Sequence, residues 1–118
     1  MVAEDLVGVP YKPGGLTLEE GLDCYGLVRM AVQLEFGVWL PPEPGIWRGY
    51  ARLLEPDEPM RRGDVLFFDS LERLHVGFVL GDGNFVHAMK QVAQVVCEPV
   101  SRYRDILRAI GRVHADRD

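Results

Sequence analysis

The sequence predicts an α+β fold in which one main helix is followed by an antiparallel sheet. Apolar side chains within residues 23–36 recur at steps of three and four, the period of a helix with one buried face. Residues 74–80 and 84–89 flank the tripeptide 81–83 (Gly-Asp-Gly), a strong hairpin signal. Further strands are predicted at residues 65–68, 94–98 and 107–113. A helix first and antiparallel strands afterwards is the order typical of an α+β domain.

The segments between these elements are predicted to be short or irregular. Residues 2–9 are predicted to form a short helix that a glycine and a proline stop, and residues 11–15 a turn-rich loop. Residues 41–62 are rich in proline and predict a long connection, with a helical turn around residues 50–54. Loops of that length in a compact domain usually carry function or wrap a site.

A length of 118 residues fits a single domain, residues 1–118, with a core that needs neither metal nor disulfide to form. The net charge of −5 comes with no dense basic face, so we expect no nucleic acid partner. The arginines near the end of the chain are predicted to form a solvated face.

The first residues contain neither a basic segment nor an apolar one, so the sequence predicts no signal peptide. The apolar runs are too short for a membrane span. We therefore expect a protein made in the cytoplasm, which a larger assembly or a virion would deliver to any substrate outside it.

Cys24 stands at the predicted start of the main helix. Unpaired N–H groups and the positive end of the helix dipole favour a thiolate at this position, and the thiolate is the nucleophilic form of cysteine. Position alone leaves a second interpretation open, because a cysteine at the edge of an apolar helix is more often a small buried hydrophobe.

Two of the three histidines favour the catalytic interpretation of Cys24. If the hairpin loop comprises residues 81–83 and the residues on either side of it pair, His87 falls opposite Gly77. His75 and His87 are then diagonal neighbours on one sheet face, with open space at Gly77 beside His75. One imidazole could take the thiol proton while the second holds the first in its tautomer.

Five short blocks of the sequence, in this order, resemble the motifs of NlpC/P60 cysteine peptidases. They are residues 11–15 (Tyr-Lys-Pro-Gly-Gly), 23–27 (Asp-Cys-Tyr-Gly-Leu), 63–68 (Gly-Asp-Val-Leu-Phe-Phe), 75–79 (His-Val-Gly-Phe-Val) and 85–88 (Phe-Val-His-Ala). The resemblance extends from about residue 11 to residue 113. It implies a reduced papain-like domain, with the cysteine helix packed on an antiparallel sheet.

The resemblance also implies roles for individual residues. Cys24 matches the nucleophile, His75 the general base and His87 the polar residue that orients the base. Tyr11 matches a tyrosine whose hydroxyl helps to stabilise the oxyanion, and Asp23 an acid that helps to recognise the free amino terminus of a stem peptide. The implied reaction is hydrolysis of amide bonds in peptidoglycan stem peptides, at the γ-D-glutamyl bond to diaminopimelate or lysine, with no cofactor.

At Tyr25 the sequence departs from the commonest family motif, which has serine there. In some relatives that serine helps to bind the amino terminus of the substrate, so Tyr25 is a candidate substrate-binding residue with an altered preference. An aromatic residue here, followed by Gly-Leu-Val-Arg and later by a Leu-Pro stretch at residues 40–41, resembles the subset found in phage tails and gene-transfer particles. Other tail or cell-wall-machine proteins are then expected as partners.

Two other functions use the same residues. The domain could be a catalytically silent assembly module of a phage tail tip, although a scaffold would not need Cys24, His75 and His87 together. These three side chains could alternatively ligate zinc, since cysteine and histidine are its usual ligands.

The remaining residues of chemical interest are predicted to be structural. Cys97 is predicted to be a buried strand residue and Asp64 a structural turn residue, whereas His114 is predicted to be solvated. Trp39 and Trp47 are predicted to pack in the core, with a groove-lining role for Trp47 as the alternative.

Overall fold

The computed structural model describes residues 1–43, 49–69 and 74–114, and in them one α-helix lies on a six-stranded antiparallel sheet. The helix, α1, spans Cys24–Phe36, and three short 3-10 helices span Ala3–Leu6, Lys90–Val92 and Val100–Ile106. The strands are β1 (Leu16–Thr17), β2 (Gly21–Leu22), β3 (Ala51–Leu53), β4 (Val65–Asp69), β5 (Leu74–Gly81), β6 (Asn84–Met89), β7 (Gln94–Pro99) and β8 (Leu107–Val113). None of the helices in this part of the chain is long and apolar enough to cross a membrane.

The large sheet has the strand order β3-β8-β4-β5-β6-β7, and every pair is antiparallel. α1 packs on β5 and β6, and its buried residues form the main core with Phe78 and Val86. A second apolar cluster, which includes Phe68 and Phe85, is covered by the 3-10 helix Val100–Ile106. The predicted α+β class, with the cysteine-bearing helix on an antiparallel sheet, is confirmed.

The ends of α1 are set by capping residues that the sequence places there. The Asp23 carboxylate accepts a hydrogen bond from the Gly26 N–H at 2.7 Å, which satisfies one of the unpaired donors of the first turn. Gly37 ends the helix in the left-handed conformation, with φ at 71°. The predicted helix at residues 23–36 is therefore confirmed almost to the residue.

Two predictions for the connecting segments are wrong. Residues 51–53 form strand β3 instead of a helical turn, because they pair with β8 in the register Ala51↔Val113. That partner lies 62 positions away in the sequence, beyond the reach of a local pattern. The predicted helix at residues 2–9 is a single 3-10 turn, Ala3–Leu6.

The β5–β6 hairpin has a tighter loop than predicted. The loop is Asp82-Gly83, both with positive φ, and Gly81 pairs with Asn84 instead of Leu80. A register shift between Val79 and Gly81 absorbs the extra residue, so Val79 still pairs with Phe85. The predicted register therefore holds in the body of the hairpin, where it positions the histidines.

Several predicted burial states are corrected by the structure. Cys97 lies on the edge strand β7 and is exposed. Val95, on the same face of this strand, is the residue that reaches the core. Trp39 is 49% exposed and lies against the Arg29 guanidinium, 5.2 Å from the ring centroid. Trp47 lies outside the described residues, and His114 is exposed as predicted.

Asp64 is structural, as predicted. It pairs with Arg112, which is therefore not part of the expected solvated face. The Asp64 side chain is 1% exposed and forms two 2.9 Å hydrogen bonds with the Arg112 guanidinium. Arg112 is itself only 13% exposed. This buried ion pair joins the start of β4 to β8.

The missing side chain of Gly26 allows the start of α1 to lie directly on the loop that follows Tyr11. A Cβ on Gly26 would lie 2.1 Å from the carbonyl oxygen of Gly15. That carbonyl also accepts the Asp23 N–H at 3.1 Å. The end of the helix that carries Cys24 is therefore held against this loop by backbone contacts that leave no room for a side chain at Gly26.

We predict that Gly26→Ala lowers the free energy of unfolding by about 2 kcal/mol, because the new methyl group would clash with a backbone oxygen. In an open helix position the same change would instead stabilise by about 1 kcal/mol. Chemical denaturation measures the difference. The control is Gly14→Ala in the same loop, where a Cβ meets nothing within 4 Å and only the positive φ of 71° is unfavourable. An unchanged or raised stability of Gly26→Ala would contradict the close approach.

Candidate active site

Four of the predicted site residues line one open cleft of about 820 Å³. Tyr11 and Cys24 come from the loop and the helix start, and His75 and His87 from β5 and β6. The sequence separates these residues by up to 76 positions, and the packing of α1 on the hairpin brings them together.

Cys24 is the first residue of α1, and its thiol is half-buried and not in a disulfide. Asp23 caps the Gly26 N–H, and the N–H groups of the first helical turn all point toward the helix start. Together with the helix dipole they favour negative charge on the sulfur. The position of Cys24 therefore suits a nucleophilic thiolate.

The two histidines are hydrogen-bonded to each other through His75 Nε2 and His87 Nδ1, 2.8 Å apart. His87 is 2% exposed and its ring stacks on Phe85 with a centroid distance of 4.4 Å. The open space predicted at Gly77 is filled by the Phe85 ring, since a Cβ on Gly77 would lie 2.6 Å from it. The glycine thus makes room for the aromatic ring that supports His87.

Glu98 extends this pair and was missed in the sequence. Its carboxylate oxygen Oε1 accepts hydrogen bonds from His87 Nε2 and from the Tyr103 hydroxyl, each at 2.7 Å. Its second oxygen accepts a hydrogen bond from Arg102. The sequence predicts Glu98 at the end of a strand and does not indicate its contact with His87. The β6–β7 register, which brings it beside His87, depends on the 3-10 turn at Lys90–Val92 that the pattern did not indicate.

The protonation states in this line follow from burial and charge. Burial lowers the pKa of His87, although Glu98 opposes the effect. Burial alone would raise the pKa of Glu98, but hydrogen bonds from Tyr103, His87 and Arg102 lower it overall. Burial and the Glu98 carboxylate raise the pKa of Tyr103 to about 12. At neutral pH the line therefore contains an ionised Glu98, a neutral His87 and a protonated Tyr103.

Two other predicted site residues have structural contacts of their own. Asp23 caps α1, and Tyr25 is 6% exposed within the main core. The Tyr25 hydroxyl donates a 2.5 Å hydrogen bond to the Pro41 carbonyl oxygen. Neither side chain is among the described residues that line the cleft. The burial of Tyr25 and its hydrogen bond to Pro41 argue against the predicted contact of its ring with substrate, whereas the predicted contact of Asp23 stays a prediction.

The zinc alternative does not fit this geometry. Both ring nitrogens of His87 are in hydrogen bonds, one to His75 and one to Glu98, so neither can point to a metal ion. Within residues 1–43, 49–69 and 74–114, no group of three or more His, Cys, Asp or Glu side chains is arranged to hold a metal.

The lowered pKa of His87 predicts that acid destabilises the fold. The unfolded state binds a proton near the ordinary value of 6.5 and the folded state does so only at lower pH. The contribution of His87 is therefore complete above pH 6.5 and is lost as the pH falls through the lower folded value. Urea unfolding at a series of pH values from 7.5 to 5 should show a weaker pH dependence for His87→Gln than for the wild type. His114→Gln, which changes an exposed histidine, should retain the wild-type dependence.

The cleft geometry predicts that His75 activates the thiol of Cys24. In a Cys97→Ser background, which removes the exposed second thiol, His75→Ala should slow alkylation of Cys24 by iodoacetamide at pH 6.5 by roughly tenfold. The reason is that loss of the neighbouring imidazolium raises the thiol pKa by about one unit. The measurement is the rate of mass gain of the intact protein. His114→Ala is the matched control, and equal rates for both variants would remove His75 from this role.

In sequence and in structure the chain is similar to proteins that are named as cell-wall hydrolases. It is 34% identical over 91 residues to the γ-DL-glutamyl hydrolase of Bacillus subtilis, an alignment that covers 75% of this chain and 22% of that protein. It is 32% identical over 114 residues to the murein DD-endopeptidase MepS/murein LD-carboxypeptidase of Escherichia coli K12, covering 92% of this chain and 60% of that protein. The chain thus spans between about a fifth and three fifths of the length of these two relatives.

Two solved structures have the same fold. RipB, a peptidoglycan hydrolase of Mycobacterium tuberculosis, superposes with a TM-score of 0.73 at 30% identity, over 93% of this chain and 59% of that one. The NlpC/P60 domain of the peptidoglycan hydrolase SagA superposes with a TM-score of 0.72 over 92% of this chain and 90% of that one, at 24% identity. Residues 8–106 match the sequence profile of the NlpC/P60 family. The chain belongs to the NlpC/P60 family and has its papain-like fold.

Proposed function

We propose that this chain is a cysteine endopeptidase that hydrolyses amide bonds in the stem peptides of bacterial peptidoglycan. The observation that carries the proposal is the cleft in which a helix-start cysteine, Cys24, lies with the hydrogen-bonded pair His75–His87. Relatives named as peptidoglycan endopeptidases and as a γ-DL-glutamyl hydrolase support the substrate class.

The hydrogen bond between the two histidines supports a choice of the His75 nitrogen that exchanges the thiol proton. Because His75 Nε2 is bonded to His87, exchange of the thiol proton uses His75 Nδ1. The Cys24 thiolate adds to the carbonyl carbon of the scissile amide, and a backbone N–H and the Tyr11 hydroxyl stabilise the oxyanion. The His75 imidazolium then gives its proton to the leaving amine. His75 next takes a proton from the water that hydrolyses the thioester, which restores the thiol.

The charges in the cleft suit a substrate that carries carboxylates. The described lining includes Lys90, Arg108 and Asp69, two cations and one carboxylate. Arg108 Nε is 3.7 Å from Asp69 Oδ2, which leaves the Lys90 ammonium as the excess positive charge of the described lining. A γ-linked D-glutamate retains its α-carboxylate beside the scissile bond, and we propose that this group faces the basic side of the cleft.

The substrate's amino terminus would be met by Asp23, whose carboxylate the Gly26 N–H holds in place at the start of the helix. We do not propose that Tyr25 contacts the substrate. Its buried ring and its hydrogen bond to Pro41 instead fix the connection that follows α1. Because Tyr25 replaces the serine of the commonest motif, recognition of the stem peptide would not use a serine contact at this position.

Delivery by a phage tail or gene-transfer particle stays a prediction from the sequence around Tyr25. In this proposal the partner of the domain is a larger assembly, and the domain acts at the cell wall. A silent module in the same assembly is the competing function, and it predicts no turnover of any wall fragment.

Purified muropeptides incubated with the protein should yield fragments cleaved after D-glutamate, detected by mass spectrometry. Cys24→Ala should produce none of these fragments while keeping the wild-type unfolding midpoint. Cys97→Ser is the matched control, since it alters the exposed second thiol, and its activity should equal that of the wild type.

Cleavage that persists in Cys24→Ala would remove this residue as the nucleophile. No cleavage by folded, reduced wild-type protein, across muropeptides with diaminopimelate and with lysine, would favour the silent module.

A further inference from the structure

Three hydrogen-bond donors converge on the Glu98 carboxylate. His87 Nε2 and the Tyr103 hydroxyl lie 2.7 Å from Oε1, and Arg102 binds the other oxygen. The Glu98 side chain is 12% exposed, against 60% for Arg102. The Glu98 carboxylate therefore links the exposed Arg102 to the buried His87.

An ionised carboxylate can only accept hydrogen bonds, and this fixes the protons on both histidines. His87 must carry its proton on Nε2 to donate to Glu98, so its Nδ1 is an acceptor. His75 must then carry its proton on Nε2 to donate to His87 Nδ1. The basic nitrogen of neutral His75 is consequently Nδ1, the one that the proposed reaction uses.

We propose that Glu98 is a positioning residue that sets the tautomers of His87 and His75 and stabilises the imidazolium formed on His75. This inference rests on the proposed function, in which Cys24 gives its proton to His75. The Glu98 carboxylate faces four titratable or charged groups on the neighbouring elements: His87 on β6, His75 beyond it on β5, and Arg102 and Tyr103 on the 3-10 helix. Among these groups it supplies the negative charge that lies nearest the histidine pair.

A purely structural role for Glu98 makes a different prediction. In that case Glu98 would serve to hold the 3-10 helix Val100–Ile106 against β7 through Tyr103, and losing either partner should have the same effect. Tyr103→Phe removes the hydroxyl and keeps the ring, which packs against Phe68 with a centroid distance of 5.9 Å. It leaves the bond between His87 and Glu98 intact.

Glu98→Gln keeps the size of the side chain and removes its charge. With muropeptides that the wild type cleaves, we expect kcat to fall about 10- to 100-fold, with KM changed by less than about threefold. The alkaline limb of the pH–rate profile should move to lower pH, because the imidazolium loses its stabilising charge. Glu58→Gln, which alters a carboxylate paired with Arg52, is the matched control and should leave kcat unchanged.

Tyr103→Phe should reduce kcat by less than about threefold. Equal losses in Tyr103→Phe and Glu98→Gln, with no movement of the pH–rate profile in either, would overturn the positioning role in favour of the structural one.

A second measurement needs no substrate. Nitrogen-15 NMR of the wild type at pH 7.5 should find His87 protonated on Nε2 with its Nδ1 unprotonated, and His75 protonated on Nε2. Finding His87 protonated on Nδ1 would overturn the proposal. In Glu98→Gln the titration midpoint of the histidine pair should fall by roughly one pH unit, whereas in Glu58→Gln it should not move.

These readouts separate the two proposals. If the wild type cleaves no muropeptide but shows the predicted tautomers and the shifted titration, the role of Glu98 holds and the substrate proposal fails. If the wild type cleaves muropeptides and Glu98→Gln matches it in kcat and in the histidine titration, the substrate proposal holds and the role of Glu98 fails.

Discussion

The 2.8 Å hydrogen bond between His75 and His87 is the interaction on which the site depends. It exists only while β5 and β6 keep the register that pairs Val79 with Phe85. A shift of one residue would turn one histidine to the opposite face of the sheet. The tight Asp82-Gly83 loop and the register shift beside Gly81 hold this register, although they lie at the far end of the hairpin from His75. The chemistry of the cleft is thus tied to backbone pairing before any side-chain contact is considered.

A neutral histidine buried this deeply needs partners for both ring nitrogens, and the sheet supplies one on each side. His75 on β5 bonds to Nδ1, and Glu98 on β7 bonds to Nε2. Among the described residues, no buried side-chain nitrogen or oxygen lacks a hydrogen-bond partner. Leaving one of the His87 nitrogens unpaired would cost roughly 1–3 kcal/mol. The hydrogen bonds that would orient His75 are therefore also the ones that make the burial of His87 tolerable.

Local patterns in the sequence were sufficient for the parts of the fold that are local. α1 was predictable because its cap at Asp23, its apolar period and its stop at Gly37 all lie within one segment. The histidine pair was predictable because the two strands are adjacent and the turn between them is short. β3 was not, since three residues become a strand only by pairing with β8. Glu98 was not, because its approach to His87 requires the β6–β7 register, which a 3-10 turn sets.

Burial was hard to predict, for a related reason. Cys97 and Val95 share a face of β7, yet only Val95 reaches the core, because the N-terminal segment pairs with β7 at Gln94 and Val95. Tyr25 follows the nucleophile directly in sequence, but the helical turn directs its ring into the core and away from the cleft. Neither outcome can be obtained from residue type or alternation alone. Both depend on where a neighbouring element ends.

Cys24 and the histidine pair belong to different layers of the fold, so the contact between these layers is part of the candidate active site. Cys24 is carried by α1, whereas His75, His87 and Glu98 are carried by three consecutive strands. The distance between thiol and imidazole is consequently set by how closely the helix start can approach the sheet and the loop after Tyr11. Gly26 permits that approach because a side chain there would clash with the carbonyl oxygen of Gly15. A change at Gly26 would alter the alignment of Cys24 with a histidine pair that is itself intact, so the proposed activity would be lost although Cys24, His75 and His87 are all retained.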